Sequence, residues 1–172
     1  VVKDYIQKLI EQPGALQVLD FADGAIQLVG LRAVKDSPLV GQQLRTLKEH
    51  MPDADARVAA VFGKSGAIFP TGDTVIEDGD EVFFVAAKKN IRKVMSELRR
   101  LEKPYHRLMI AGGGNIGFSL AKALEKDYNI KIIEYSTQRA RHLSEKLNKS
   151  VVLNGSATDQ ELLLDENIDK TD

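Results

Sequence analysis

The stretch Leu-Met-Ile-Ala-Gly-Gly-Gly-Asn-Ile-Gly at 108–117 decides the fold. Its four leading residues, three of them large and apolar, read as a buried strand. The strand runs directly into Gly112, Gly114 and Gly117, which satisfy the spacing G-x-G-x-x-G. That spacing alone is a weak signal, but between a strand and a helix each glycine has a physical role. Gly112 suits the tight strand-to-helix turn. Gly114 has no Cβ, so a pyrophosphate can approach the backbone closely. Gly117 lets the helix lie against the strands. The amides around Asn115 and Ile116 open the helix as unpaired donors at the positive end of its dipole, a place that suits an anion. Gly112, Gly113, Gly114, Asn115, Ile116 and Gly117 are therefore the candidate phosphate cradle.

Downstream, strands and helices alternate. A helix is expected over about 115–126, with Ile116, Leu120, Ala121 and Leu124 facing inward. Ile130–Tyr135 reads as a second apolar strand, and Thr137 as the cap of a helix reaching about Leu147. Val151–Leu153 reads as a third strand. A loop at 155–159 follows, and Thr158 or Asp159 starts one more short helix. This β-α-β-α-β order builds a parallel, doubly wound sheet. Glu134 closes the second strand twenty residues after Gly114. A carboxylate there accepts hydrogen bonds from both ribose hydroxyls of an adenosine and repels a 2′-phosphate, which favours NAD(H) over NADP(H). Arg139 and Arg141 on the next helix could reach a phosphate, but they read first as solvated surface. A complete dinucleotide sheet needs two such halves. After Asp159 only Glu161–Leu164 is followed by a polar stretch, so the pattern reads as part of a longer protein or as a half-sheet that pairs with a second copy.

Upstream the character changes. Asn90 reads as an N-cap, with Ile91, Val94, Met95, Leu98 and Leu101 on one face of a helix that Lys103-Pro104 ends. Before it, 15–36 reads as strand, turn and strand, with Leu16, Val18 and Phe21 alternating and Ala22-Asp23-Gly24 as the turn. A short helix with Leu44 and Leu47 inward ends at Met51-Pro52. Arg57–Phe62 and Ala67–Phe69 flank a turn at 63–66. Val82-Phe83-Phe84-Val85 reads as a buried strand behind an acidic turn containing Asp78, Asp80 and Glu81, taken as solvated. At the front, Val2, Ile6, Leu9 and Ile10 share one face of a helix over 1–11 that Pro13-Gly14 stops. The expected organisation is a tail helix of a preceding domain (1–13), a small α+β domain (14–88), a connecting helix (89–103) and a partial Rossmann domain (104–172). The fold class is α/β.

Bulk properties narrow the function. The 172 residues carry 24 Lys+Arg against 25 Asp+Glu, a net charge of −1. That balance argues against an electrostatic grip on nucleic acid. There is no cysteine, which removes disulfides and cysteine-ligated zinc. No apolar run approaches the ~20 residues that a membrane-spanning helix needs, and the N-terminus lacks the pattern of a signal peptide. A dehydrogenase needs a group placed for proton transfer. His50, His106 and His142 are scattered, and no nucleophile motif or metal-ligand spacing appears. No catalytic residue and no metal site is expected. The alternative is an NAD-dependent oxidoreductase whose catalytic part lies beyond the C-terminus.

The order of segments carries one further signal. Ser-Pro-Leu-Val-Gly-Gln-Gln-Leu at 37–44, Arg-Val-Ala-Ala-Val-Phe at 57–62, Ile-Phe-Pro-Thr-Gly-Asp-Thr at 68–74 and Asp-Gly-Asp-Glu-Val-Phe-Phe-Val at 78–85 are followed by the glycine stretch. Together they resemble the regulator-of-potassium-conductance family: a C-terminal-type sensing domain, then the start of a second nucleotide-binding domain of a tandem protein. The resemblance implies a regulatory subunit that binds NAD(H), with ATP and ADP competing at the same site in some members. It further implies assembly of a homo-oligomeric ring on the cytoplasmic face of a potassium-translocating membrane subunit. On the same resemblance, residues 1–11 end a first Rossmann domain, while Gly112–Gly117 and Glu134 match the family's nucleotide pattern.

Overall fold

The computed structural model describes residues 2–172, which divide into two compact units. Residues 12–103 form one. Residues 2–11 together with 104–172 form the other.

The first unit is an antiparallel sheet backed by helices. Its strands are β1 (Ala15–Phe21), β2 (Ile26–Arg32), β3 (Ala56–Gly63), β4 (Gly66–Ile68) and β5 (Glu81–Ala87), in the order β1-β2-β5-β3-β4. Alternation in β5 sends Val82, Phe84 and Ala86 into the core, where Val29 and Leu31 of β2 and Val61 of β3 meet them. That face is covered by helix α3 (Ile91–Leu98), whose Ile91, Val94, Met95 and Leu98 are all buried, and by Leu39, Leu47, Met51 and Ile76. Each such side chain contributes on the order of 1.5–3 kcal/mol by leaving water. The short helix expected after Gly41 is a 3₁₀ turn at Leu44–Thr46 and a single α-turn, α2 (Leu47–His50).

Several expectations need correction here. α3 stops at Leu98, so Leu101 is not helical. The carbonyls of Glu97 and Leu98 are claimed by the amides of Leu39 and Val34, which removes the need for another helical turn. Asn90 makes no side-chain cap, because a 3₁₀ turn at Lys88–Asn90 leads into the helix instead. Val82–Val85 is not buried throughout: Phe83 and Val85 lie on the sheet's other face with Leu19, Phe21 and Ile26, which are exposed. Phe69 falls outside β4 and is 94% exposed. The acidic turn is not uniformly solvated. Asp80 is buried, its side chain accepts the Glu77 amide and its carbonyl accepts the Ala33 amide.

The second unit is the three-stranded parallel sheet β6 (Arg107–Ala111), β7 (Asn129–Glu134) and β8 (Val151–Asn154). Helices α4 (Asn115–Leu124) and α5 (Thr137–Lys146) connect the strands, and α6 (Gln160–Asp165) follows. Leu120, Ala121 and Leu124 of α4 pack with Ile130, Ile132, Leu143 and Leu147. Ile116 departs from the expected inward stripe and is half-exposed beside the glycine turn. The first helix, α1 (Val2–Glu11), contributes Ile6 and Ile10 to this same core. It thus packs with the unit that begins at 104, about ninety residues later in the chain. None of the helices among the described residues is long and apolar enough to cross a membrane.

Candidate functional site

The glycine turn sits between the C-terminal end of β6 and the start of α4. Gly112 has φ +96°, a conformation that favours glycine, and its amide donates to the Ile133 carbonyl at 2.8 Å. At Gly117 a Cβ would stand 2.0 Å from the Gly112 carbonyl oxygen, so only glycine lets α4 begin there. A Cβ built at Gly114 meets nothing within 4 Å, so this position opens onto free space. The amides of Asn115, Ile116 and Gly117 open α4 without an intrahelical acceptor, and the Phe118 amide is the first to bond back, to the Gly114 carbonyl at 2.9 Å. Together these features make a concave turn lined by unpaired N–H groups at a helix N-terminus.

Glu134 ends β7 and is only 6% exposed. One carboxylate oxygen accepts the Gly113 amide at 2.9 Å, and the other accepts the Ser136 amide at 2.8 Å. The Arg139 guanidinium stands 3.9 Å away. The Ser136 amide, joined by the Gly113 amide and Arg139, holds the carboxyl below its usual range against the opposite pull of burial. The carboxylate therefore does two things. It fastens the glycine turn to the neighbouring strand, and it carries a fixed negative charge at the rim of the turn.

Two cavities meet at this point. One, of about 440 Å³, is lined by Gly112, Gly114, Glu134, Tyr135, Arg139 and the loop Gly155-Ser156-Ala157. The other, of about 480 Å³, is lined by Gly113, Gly114, Asn115, Phe118, Arg139 and His142. The loop is shaped by its own sequence. A Cβ at Gly155 would stand 2.5 Å from a Leu162 methyl, and the Asp159 side chain caps α6 through the amides of Glu161 and Leu162. The Asn154 amide group donates to the carbonyls of Glu134 and Tyr135, which fixes the ends of β7 and β8 side by side.

All seven candidate residues, Gly112 to Gly117 and Glu134, thus come together. Ile116 takes part through its backbone. Three positions do more in the fold than the sequence assigns them. A Cβ at Gly113, one of these seven, would stand 2.2 Å from a Leu143 methyl, so that side chain would have to move. Arg139 is not simply solvated but borders both cavities. Ser136, not Thr137, caps α5 by accepting the Arg139 amide, and Thr137 donates to Asn154. The run of three glycines was the available signal for the first. The signal for the third was Ser136 itself, an N-cap residue type directly before the helix. His50 pairs with Glu97 at 2.8 Å in the other unit, and only His142 among the histidines lines a cavity at the glycine turn. Among the described residues no cluster of His, Asp and Glu is arranged to hold a metal.

A second buried carboxylate lies at the far end of α4. Glu125 accepts the amides of Asn148, Lys149 and Ser150 and the Ser150 hydroxyl at 2.9–3.2 Å. Burial pushes its carboxyl up, yet the three amides and the hydroxyl together bring it below the usual range.

A small antiparallel domain followed by a parallel β-α-β-α-β unit with a glycine cradle defines a two-domain class. The TrkA-C domain family matches residues 28–99, and the TrkA-N domain family matches residues 108–172. The chain belongs to the TrkA family. It is 57% identical over 172 residues to the Trk system potassium uptake protein TrkA of Vibrio alginolyticus, and 55% and 46% identical to those of Halomonas elongata and Haemophilus influenzae. In each case the whole chain is covered but only 38% of the relative, so it spans little more than a third of their length. Among solved structures, the GsuK RCK domain matches 99% of the chain with a TM-score of 0.56 at 18% identity, over 36% of its own length. The GsuK channel bound to NAD matches 94% with a TM-score of 0.53 at 18% identity, over 28% of its own length. These two share the fold.

Proposed function

We propose that this chain is the nucleotide-sensing portion of a regulatory subunit that gates potassium uptake by a membrane transporter through NAD(H) binding. The observation that carries this reading is the Gly113–Glu134 hydrogen bond beside the open face of Gly114. It sets the open helix start and a carboxylate on the same rim, which supports a cradle for pyrophosphate beside a reader of ribose. A dinucleotide's pyrophosphate sits over Gly114 and the α4 amides, and its adenosine enters the cavity between Glu134 and Gly155–Ala157. The TrkA relatives supply the potassium-uptake context, and the NAD bound to the GsuK channel is consistent with the choice of ligand. ATP and ADP share the adenosine and compete at the same place.

In this reading the residues do no bond-making chemistry. Nucleotide binding favours one state of a homo-oligomeric assembly over another, and the difference in affinity between the states is the free energy available for gating. The assembly works at the cytoplasmic face of the membrane subunit, without nucleic acid. The oxidoreductase alternative gains nothing from the relatives, whose names concern potassium uptake. Calorimetric titration with NADH, NAD, NADPH and ATP tests the assignment. Saturable NADH binding that Glu134→Ala weakens by about tenfold or more supports it, since a lost charge-assisted hydrogen bond amounts to roughly 1.5–3 kcal/mol. NADH binding that ignores Glu134→Ala removes it.

A further inference from the structure

The parallel sheet has a second end. The glycine turn lies where β6 and β7 finish, and the opposite edge is where β6, β7 and β8 begin. β6 is five residues long, so the two ends lie roughly 17 Å apart. A cavity of about 310 Å³ opens at the far edge, at the lower end of the range for small-molecule sites. Its described lining carries the cations Arg107, Lys131, Lys149 and Lys170 against one carboxylate, that of Glu166. The chain as a whole is balanced, with a net charge of −1, so this is a local concentration of positive charge and not a general bias.

Each cation is placed by its own anchor. Arg107 opens β6, and the Asp172 carboxylate fixes its amide at 2.8 Å. Lys131 stands on the central strand, where its ammonium donates to the Glu166 carbonyl and carboxylate, both at 2.8 Å. Lys149 lies in the loop that Glu125 holds through its amides. Lys170 donates to the side chain of Asn167, whose φ is +58°. Positive charges gathered around one cavity repel one another, and here they are only partly answered. Lys131 pairs with Glu166. Among the described residues no hydrogen bond or ion pair engages the side chains of Arg107 and Lys149. Asp172 lies near Arg107, but its carboxylate accepts the amides of His106 and Arg107. An anion in the cavity relieves the repulsion, and the anchored backbone spares it much of the cost of ordering the site.

We propose that this edge of the sheet binds a small anion bearing two or more phosphate or carboxylate groups. Arg107 supplies a planar, forked donor that fits either group, and the lysines supply point charges around it. The site shares no lining residue with the two cavities at the glycine turn, so it stands apart from the nucleotide reading.

Calorimetric titration with sodium pyrophosphate and with sodium citrate, each at constant ionic strength, tests the proposal beside hydrogen exchange. Saturable heat from at least one of the two ions, with slowed exchange at 148–150 and 166–171, is the expected result. Saturation by pyrophosphate alone assigns phosphate groups to the ligand, and saturation by citrate alone assigns carboxylates. Arg107→Gln and Lys149→Gln should each weaken the ion that binds by about fivefold or more. Both side chains are exposed, so neither change should unfold the protein. Lys89→Gln, at an exposed lysine of the other unit, should leave the affinity as it is. Failure of both ions to saturate overturns the proposal, as does wild-type affinity in Arg107→Gln and Lys149→Gln. Heat accompanied by slowed exchange at 112–117 and none at 166–171 places the ion at the glycine turn and overturns it. An equal loss in Lys89→Gln reveals general charge attraction in place of a site, and overturns it as well.

Discussion

Glu125 and Glu134 stand at opposite ends of one parallel sheet and look alike in isolation. Both are buried, both are held ionised by backbone amides, and both tie a loop to a neighbouring element. Their surroundings differ. Glu125 spends its carboxylate on three amides and a hydroxyl between α5 and β8, and it lines none of the cavities at the glycine turn. Glu134 spends its carboxylate on two amides, faces Arg139, and stands at the rim of a cavity that a helix N-terminus also faces. A buried, amide-held acid is thus not a functional signal by itself. Under the proposed function, the open glycine turn beside it is what separates a ligand-reading carboxylate from a structural one.

The comparison can be broken by substitution. The largest effect is expected at the cradle: Gly117→Ala drives a Cβ into the Gly112 carbonyl and should destabilise the nucleotide unit by about 3 kcal/mol while abolishing NADH binding, read by denaturant melts and calorimetry. Glu125→Gln should come next for stability. It leaves amides of Asn148, Lys149 and Ser150 short of acceptor, a loss of about 2–3 kcal/mol, with NADH affinity unchanged in the surviving fold. Glu134→Gln should cost less stability, on the order of 1–2 kcal/mol, yet weaken NADH by tenfold or more. Equal effects of the two substitutions on NADH affinity would erase the distinction drawn here. Arg139→Ala should be the mildest for stability, within about 0.5 kcal/mol, because the pair is long and its arginine exposed.

Acid should act on both carboxylates in one direction. Their folded values lie below the ordinary value of 4.5. The stabilisation they provide is complete above about that pH and disappears as the pH falls through the depressed folded values. A melt series between neutral and strongly acidic pH checks this. Stability that rises on acidification would contradict it. Glu125→Gln should flatten the dependence without removing it, because Glu134 still titrates.

How far the sequence foretold these features depends on the range of the interaction. The β-α-β-α-β order, the cradle glycines and Glu134 were readable because their physics is local: a strand, a turn, a helix start and an acid at the next strand end. The small domain's strands were readable for the same reason, through alternation and turn residues. What escaped depends on partners far along the chain. Leu101 continues the apolar stripe of α3, but the tail of that helix is capped by amides from 34 and 39. Asp80 looked like one more charge in an acidic turn, yet the chain folds over it. Gly113 was readable as part of the glycine run, but its close neighbour Leu143 arrives from the next helix. Arg139 resembled a solvated charge, and only the tertiary fold carries it between the two cavities.

The central claim is that Glu134, unlike Glu125, reads the nucleotide. Calorimetric titration of NADH into wild type, Glu134→Ala and Glu125→Gln, at a temperature where all three remain folded, tests it most directly. Binding should be saturable in wild type and Glu125→Gln and at least tenfold weaker in Glu134→Ala. Wild-type affinity in Glu134→Ala, or a loss of the same size in Glu125→Gln, would contradict it.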